Sequence, residues 1–162
     1  MANSPAVLDA YVKLNGALSA GAIGSKMAEM IALATAEHNG CSYCLSAHTF
    51  LGNKAGLTEQ QIHDSKTFHA DTEKLAGGLQ FAKKILISPN NISSDDITPL
   101  KNHGFTDGEI LEIIANVIRN IFTNYVNTVS NTDADFIFRY YLKVLLLQPN
   151  QHLYSKRYSH NW

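Results

Sequence analysis

The chain is short of the residues that mark several protein classes. Two cysteines in 162 residues are too few for a secreted scaffold built on disulfides. Charge is neither abundant nor one-sided: charged residues make up 17% of the chain and the net charge is -1, which leaves no electrostatic footprint for nucleic acid or an anionic membrane. Long apolar runs are missing too. The longest, at residues 136–147, contains Arg139 and Lys143 and is too short to span a bilayer. Residues 1–16 lack a basic stretch followed by an apolar one, so no secretion signal is visible and the expected compartment is the cytoplasm. With four prolines and no low-complexity stretch, nothing divides the chain. What remains is a hydrophobic content of 45%, ordinary for a globular chain long enough to build one core.

Strand signals are almost absent and helix signals recur. Ser4-Pro5 suits an N-cap and first helical residue, and Ser25 can open a second helix through Met27, Met30, Ile31 and Leu33. Asn39-Gly40 stops that helix, since both residues tolerate the left-handed conformation. A third helix starts around Cys41 and Ser42 and stops at Gly56. Three later starts place a hydroxyl cap after an apolar residue: Leu57-Thr58 with Gln61, Ile92-Ser93 with Asp96, and Phe105-Thr106 with Glu109. Asp96 is the weaker occupant of the capping-box position. Leu75, Leu79, Ala82, Ile85 and Leu86 mark a helix within residues 71–88. Over residues 106–129, Ile110, Ile114, Val117, Ile121 and Tyr125 form one stripe, widened by Leu111, Ile118, Phe122 and Val126. A stripe so broad predicts a central helix buried on more than one side. The expected fold is all-α, a compact multi-helix bundle over residues 1–148 with a polar tail at 149–162. Periodicity does not decide between helix and strand for 136–147, which must be covered by the chain's own core or by another subunit.

The chemistry concentrates in one segment. Cys41 and Cys44 lie three apart, and His48 follows four residues later, so a helix puts all three along one face, where the sulfurs are expected to be reachable by solvent. An unperturbed thiol ionises near pH 8.5, so only about 3% is thiolate at neutral pH and full ionisation gains about thirty-fold. A helix N-terminus favours Cys41 as the ionised sulfur, whereas the nearby imidazole favours Cys44. Ionisation alone does not make a fast peroxide reductase, because cleaving an O–O bond needs a proton for the departing oxygen. His48, oriented by a carboxylate, can supply one.

Glu29, twelve residues before Cys41, completes a pattern: Met27-Ala28-Glu29-Met30-Ile31-Ala32-Leu33-Ala34, then Asn39-Gly40-Cys41-Ser42-Tyr43-Cys44, then His48. Over residues 25–56 this resembles the alkylhydroperoxidase D core of the carboxymuconolactone decarboxylase superfamily. Residues 105–136, including Asn131-Thr132-Asp133-Ala134-Asp135-Phe136, more loosely resemble its peroxidase-related members. The resemblance implies an all-helical homo-oligomer, trimer or hexamer, acting as an antioxidant thiol peroxidase without a bound organic cofactor or metal. It implies that Cys44 attacks the hydroperoxide, that Cys41 resolves the sulfenic acid into a disulfide, and that Glu29 and His48 relay protons. The electrons would come from a dithiol, thioredoxin-like or lipoylated donor. Tyr43 stands where the best-known members carry histidine and is assigned at most a substrate contact; a phenol hydrogen-bonds but is a poor base at neutral pH.

Other readings compete. The cysteines could be two buried apolar residues, or a non-catalytic redox switch that alters assembly. Lactone decarboxylation, suggested by the superfamily's name, has no need of a thiol pair. Zinc could take both thiolates, but a structural site normally draws a second ligand pair from another knuckle, and the sequence offers none. Glu37 and His38 read as an exposed helix end, with His38 complementing the dipole. Asn116, Asn120 and Tyr125 read as packing residues rather than pocket lining, and His63, His69, His103, His152 and His160 as surface residues.

Overall fold

Hydroxyl side chains set most of the helix starts, as the sequence predicts. A computed structural model describes residue 1 and residues 3–133, which form seven α-helices: α1 (Pro5–Ser19), α2 (Gly24–His38), α3 (Ser42–Lys54), α4 (Glu59–Ser65), α5 (Glu73–Ile87), α6 (Ser94–Asn102) and α7 (Asp107–Val129). Pro89–Asn91 adds one 3-10 turn, and there is no strand among the described residues. The all-helical expectation holds. Residues 136–147, the expected domain end at 148, the tail beyond it, His152 and His160 lie outside the described residues. No helix among the described residues is long and apolar enough to cross a membrane.

Ser4, Thr72, Thr58 and Thr106 each accept an N–H from the first turn of the following helix, and Thr58 and Thr106 form full capping boxes with Gln61 and Glu109. Asp96 does better than its type suggests. Its carboxylate accepts the Ser93 N–H at 2.8 Å and pairs with Lys84, so α6 also has a complete box. Ser25 does not cap α2. That helix begins at Gly24 with Ile23 as N-cap, and the Ile23 N–H is satisfied at 3.0 Å by Glu112 Oε2 of α7. A long-range carboxylate replaces the local cap, and Gly21 makes room for it: a Cβ there would lie 2.5 Å from the Glu112 oxygen.

The central helix is α2 rather than α7. Its residues Met30, Ile31, Ala32, Leu33, Ala34, Thr35 and Ala36 are consecutive and buried, so every side is covered. It packs against α3, α7, α5, α4 and α1. Burying a side chain of the size of Met30, Ile31 or Leu33 contributes about 1.5–3 kcal/mol, so this helix anchors the core. Ile113 and Val117 of α7 join that core, with Leu79 and Ala82 of α5 and Leu100 of α6. The widened stripe of α7 does not: Leu111, Ile118, Phe122 and Tyr125 are exposed, Leu111 by 65%. Instead α7 buries the polar residues Asn116, Arg119, Asn120 and Asn124. Apolar periodicity found the helix but misjudged how many of its sides the chain itself covers.

Candidate redox site

The turn between α2 and α3 builds the site. At the end of α2 the Gly40 N–H donates to Glu37 O at 3.1 Å and the Cys41 N–H to Ala36 O at 3.0 Å, the paired bonds of a Schellman stop. That stop needs a left-handed residue, and Gly40 supplies it at φ +65°. Cys41 therefore closes α2 and at the same time caps α3, where its sulfur accepts the Cys44 N–H at 3.3 Å. Cys44 lies in the first turn of α3. The two are joined as a disulfide, with Cα atoms 5.3 Å apart, an ordinary separation for the bond.

Glu29 on α2 meets His48 on α3, with Oε2 2.8 Å from Nδ1 and each side chain only 16% exposed. A carboxylate accepts, so Nδ1 carries the hydrogen of this bond, which in the neutral ring leaves Nε2 as the free acceptor. The structure thus brings Glu29 and His48 into contact, and puts His48 on α3 one turn beyond the Cys41–Cys44 pair.

The exposure of the sulfurs differs from the sequence-based expectation of a solvent-reachable pair: Cys41 is 4% and Cys44 3% exposed. They pack with Ala36, under the partly buried Tyr43 and Leu45. The bland reading of buried cysteines is therefore right about burial, but the bonded pair is not two inert apolar residues. Tyr43 is partly buried and packs against this cluster.

Several residues of the site escape the sequence reading. Asn127 of α7 donates through Nδ2 to Cys44 Sγ at 3.4 Å, and its Oδ1 accepts the Thr132 hydroxyl at 3.2 Å. Asn124 Oδ1 accepts from Asn39 Nδ2 at 3.0 Å, tying α7 to the end of α2 just before Cys41. Asn116 and Asn120 are buried, as their reading as packing residues predicts, while Tyr125 is exposed. Asn116 Oδ1 and Asn124 Nδ2 are buried without a hydrogen-bond partner among the described residues. Arg119 is also buried, donating to Asn15 Oδ1 of α1 at 3.1 Å. Loss of hydration pulls its guanidinium below its ordinary pKa, while Tyr11 and then Glu29 act in the opposite direction. The signal for this polar face was present: positions 116, 120, 124 and 127 recur at helical spacing.

Glu37 and His38 are exposed, as are His63 and His69. His103 departs from its surface reading, being partly covered beside Gly77 and 3.7 Å from Glu73. Among the described residues no cluster of three or more His, Cys, Asp or Glu side chains is placed to hold a metal ion.

The sequence profile of the carboxymuconolactone decarboxylase family matches residues 5–83, which include Glu29, Cys41, Cys44 and His48. No curated protein matches the chain. Among solved structures, one from Agrobacterium tumefaciens, a protein of unknown function provisionally assigned to antioxidant defence as AhpD, is 21% identical with a TM-score of 0.73, covering 81% of this chain and 92% of its own. A peroxidase-related protein with an alkylhydroperoxidase AhpD core from Ralstonia eutropha is 26% identical with a TM-score of 0.70, covering 79% of this chain and 70% of its own. A debrominase bound to 2,3,4-tribromopyrrole is 19% identical with a TM-score of 0.73, covering 89% and 79%.

Proposed function

We propose that this chain, which belongs to the carboxymuconolactone decarboxylase superfamily and has its alkylhydroperoxidase D-like helical fold, is a thiol-dependent hydroperoxide reductase. One observation carries the reading: a Cys41–Cys44 disulfide with His48 one turn along α3, hydrogen-bonded there to Glu29 of α2. Paired thiols store two electrons, and an imidazole held by a carboxylate moves the proton that O–O cleavage requires.

In the reduced protein His48 takes the Cys44 proton. The thiolate attacks the terminal oxygen of the hydroperoxide; an S–O bond forms as the O–O bond breaks, and the alkoxide leaves with the proton from His48 as an alcohol. The Cys41 thiol then attacks the Cys44 sulfenic acid, forming the S–S bond and releasing water. An external dithiol returns two electrons and two protons. Its class is a thioredoxin-like or lipoylated protein, and the working compartment is the cytoplasm. The exposed apolar side of α7, with Leu111, Ile118, Phe122 and Tyr125, suits burial against further copies in a homo-oligomer.

The test is consumption of an organic hydroperoxide with a dithiol donor by the wild type, Cys44→Ser and Cys41→Ser. Loss in Cys44→Ser is expected, with at most a single turnover in Cys41→Ser. Equal activity in all three removes the proposal.

The burial of both sulfurs favours a second reading, a redox switch with negligible turnover. It predicts that oxidised and reduced samples differ in oligomer size by light scattering while neither consumes hydroperoxide.

A further inference from the structure

We propose that Asn127 is the hydrogen-bond donor that holds the reduced Cys44 sulfur as a thiolate, and that Thr132 is the positioning residue that aims it. This rests on Cys44 being the attacking sulfur of the proposed reaction, and it adds two residues from the far end of the fold to that chemistry.

The contact is specific in direction. Asn127 Nδ2 lies 3.4 Å from Cys44 Sγ, a partner 83 positions away in the chain. A disulfide sulfur or a thiolate accepts hydrogen bonds and has no proton to give, so only the nitrogen end of the amide is useful there. The oxygen end is already engaged, accepting the Thr132 hydroxyl at 3.2 Å. Turning the amide over would set its oxygen against the sulfur.

The lock on the amide follows from how α7 stops. Asn131 adopts a left-handed conformation at φ 46°, which asparagine tolerates better than most residues. The Asn131 N–H donates to Thr128 O at 3.1 Å and the Thr132 N–H to Asn127 O at 3.0 Å. The chain thereby folds Thr132 back onto Asn127, bonding it through backbone and side chain together. One turn earlier, Asn124 holds Asn39, two residues before Cys41. The end of α7 thus grips both arms of the dithiol loop.

The chemistry follows from charge. A hydrogen bond to an anion is about twice as strong as one between neutral groups, so Asn127 favours the thiolate over the thiol. It carries no proton of its own to lose, and therefore moves the midpoint of Cys44 ionisation without adding a titration step. Because it stabilises the reduced form over the disulfide, it also makes the Cys41–Cys44 couple more oxidising.

The experiment follows Cys44 alkylation by iodoacetamide against pH, by mass spectrometry, in a reduced Cys41→Ser background where Cys44 is the lone thiol. Glu29, His48 and Arg119 stay unchanged. With Asn127→Ala the midpoint moves up and alkylation at pH 6.5 falls several-fold. With Asn127→Asp, which sets a carboxylate against the sulfur, the fall is about tenfold or more, tenfold being one unit of midpoint. Thr132→Val moves it the same way by less. In the intact dithiol protein, Asn127→Asp also makes the disulfide harder to reduce and lowers its measured reduction potential. Midpoints equal to wild type in folded Asn127 variants overturn the proposal. If those variants fail to fold, Thr132→Val decides in the same sense, since it leaves α7 and the amide in place. Hydroperoxide consumption is scored separately. A displaced midpoint without turnover removes the peroxidase reading and keeps the donor, whereas turnover with an unmoved midpoint does the reverse.

Discussion

Glu29 Oε2 and His48 Nδ1 lie 2.8 Å apart, joining the central helix to the helix that Cys41 caps and whose first turn holds Cys44. Each side chain is 16% exposed, so water competes only weakly for the bond. Replacing His48 by Gln removes the proposed proton carrier, and the hydroperoxide-dependent rate is expected to fall by about 10²–10⁴, the usual worth of general acid–base catalysis. Glu29→Gln keeps a hydrogen-bond acceptor for the ring but not the charge, and is expected to cost less. Steady-state rates with one hydroperoxide and one dithiol rank the two; a His48→Gln rate equal to wild type rejects the relay.

Tyr43 and Leu45 pack over sulfurs that are nearly inaccessible. Tyr43→Ala is therefore expected to raise the rate with a bulky aryl hydroperoxide relative to hydrogen peroxide. An unchanged ratio between the two substrates would show that access does not run past the ring.

Gly40 has φ +65° and nothing within 4 Å of where a Cβ would be. Strain in Gly40→Ala is thus purely conformational, about 1–2 kcal/mol for an L-residue forced into the left-handed region. Gly40→Asn is expected to cost less. Denaturant midpoints at constant slope measure both, and Ala no less stable than Gly would contradict the geometry.

The Thr106–Glu109 capping box makes α7 sensitive to acid. The Thr106 backbone N–H, and after it the Lys74 ammonium, hold the Glu109 carboxyl below the usual carboxylate range. In α6, Lys84 and then the Ser93 N–H do the same for Asp96. With folded-state pKa values depressed, the unfolded chain binds more protons in this range. The stability is fully present above the unfolded value, about pH 4.3 for a glutamate, and is lost as pH falls through the lower folded value. The stability gap between wild type and Glu109→Gln is expected to close over that interval. Thr106→Ala is expected to cost about 1 kcal/mol at pH 7. A gap independent of pH would mean that Glu109 acts only as a neutral acceptor.

The broad apolar stripe of α7 leaves Leu111, Ile118, Phe122 and Tyr125 exposed, with Phe122 stacked at a tilt against Tyr11 of α1 at 6.3 Å. Ile118→Asp with Phe122→Asp is expected to lower the mass measured by light scattering if copies meet on this face. No change in mass would place any self-association elsewhere.

Local rules were enough for much of this protein. Threonine and serine caps, the Asn39-Gly40 stop and the Cys41-to-His48 spacing are all short-range features, set by backbone conformation and helical period. For that reason the helix starts and the shared face of Cys44 and His48 were legible from residue order. Ser25 failed as a cap because the helix starts before it, at Gly24, and Glu112, which satisfies the Ile23 N–H, lies 89 positions beyond Ile23.

The sequence by itself determined that the described residues fold as helices, with a dithiol segment at the mouth of one of them. Tertiary structure alone decided that α2 rather than α7 lies at the centre, that the sulfurs are buried, and that asparagines of α7 reach the thiol pair. Helical periodicity records which residues share a face, but it carries no information about what covers that face. An asparagine donating to a sulfur 83 positions away has no local signature, because the bond depends on where two helices cross.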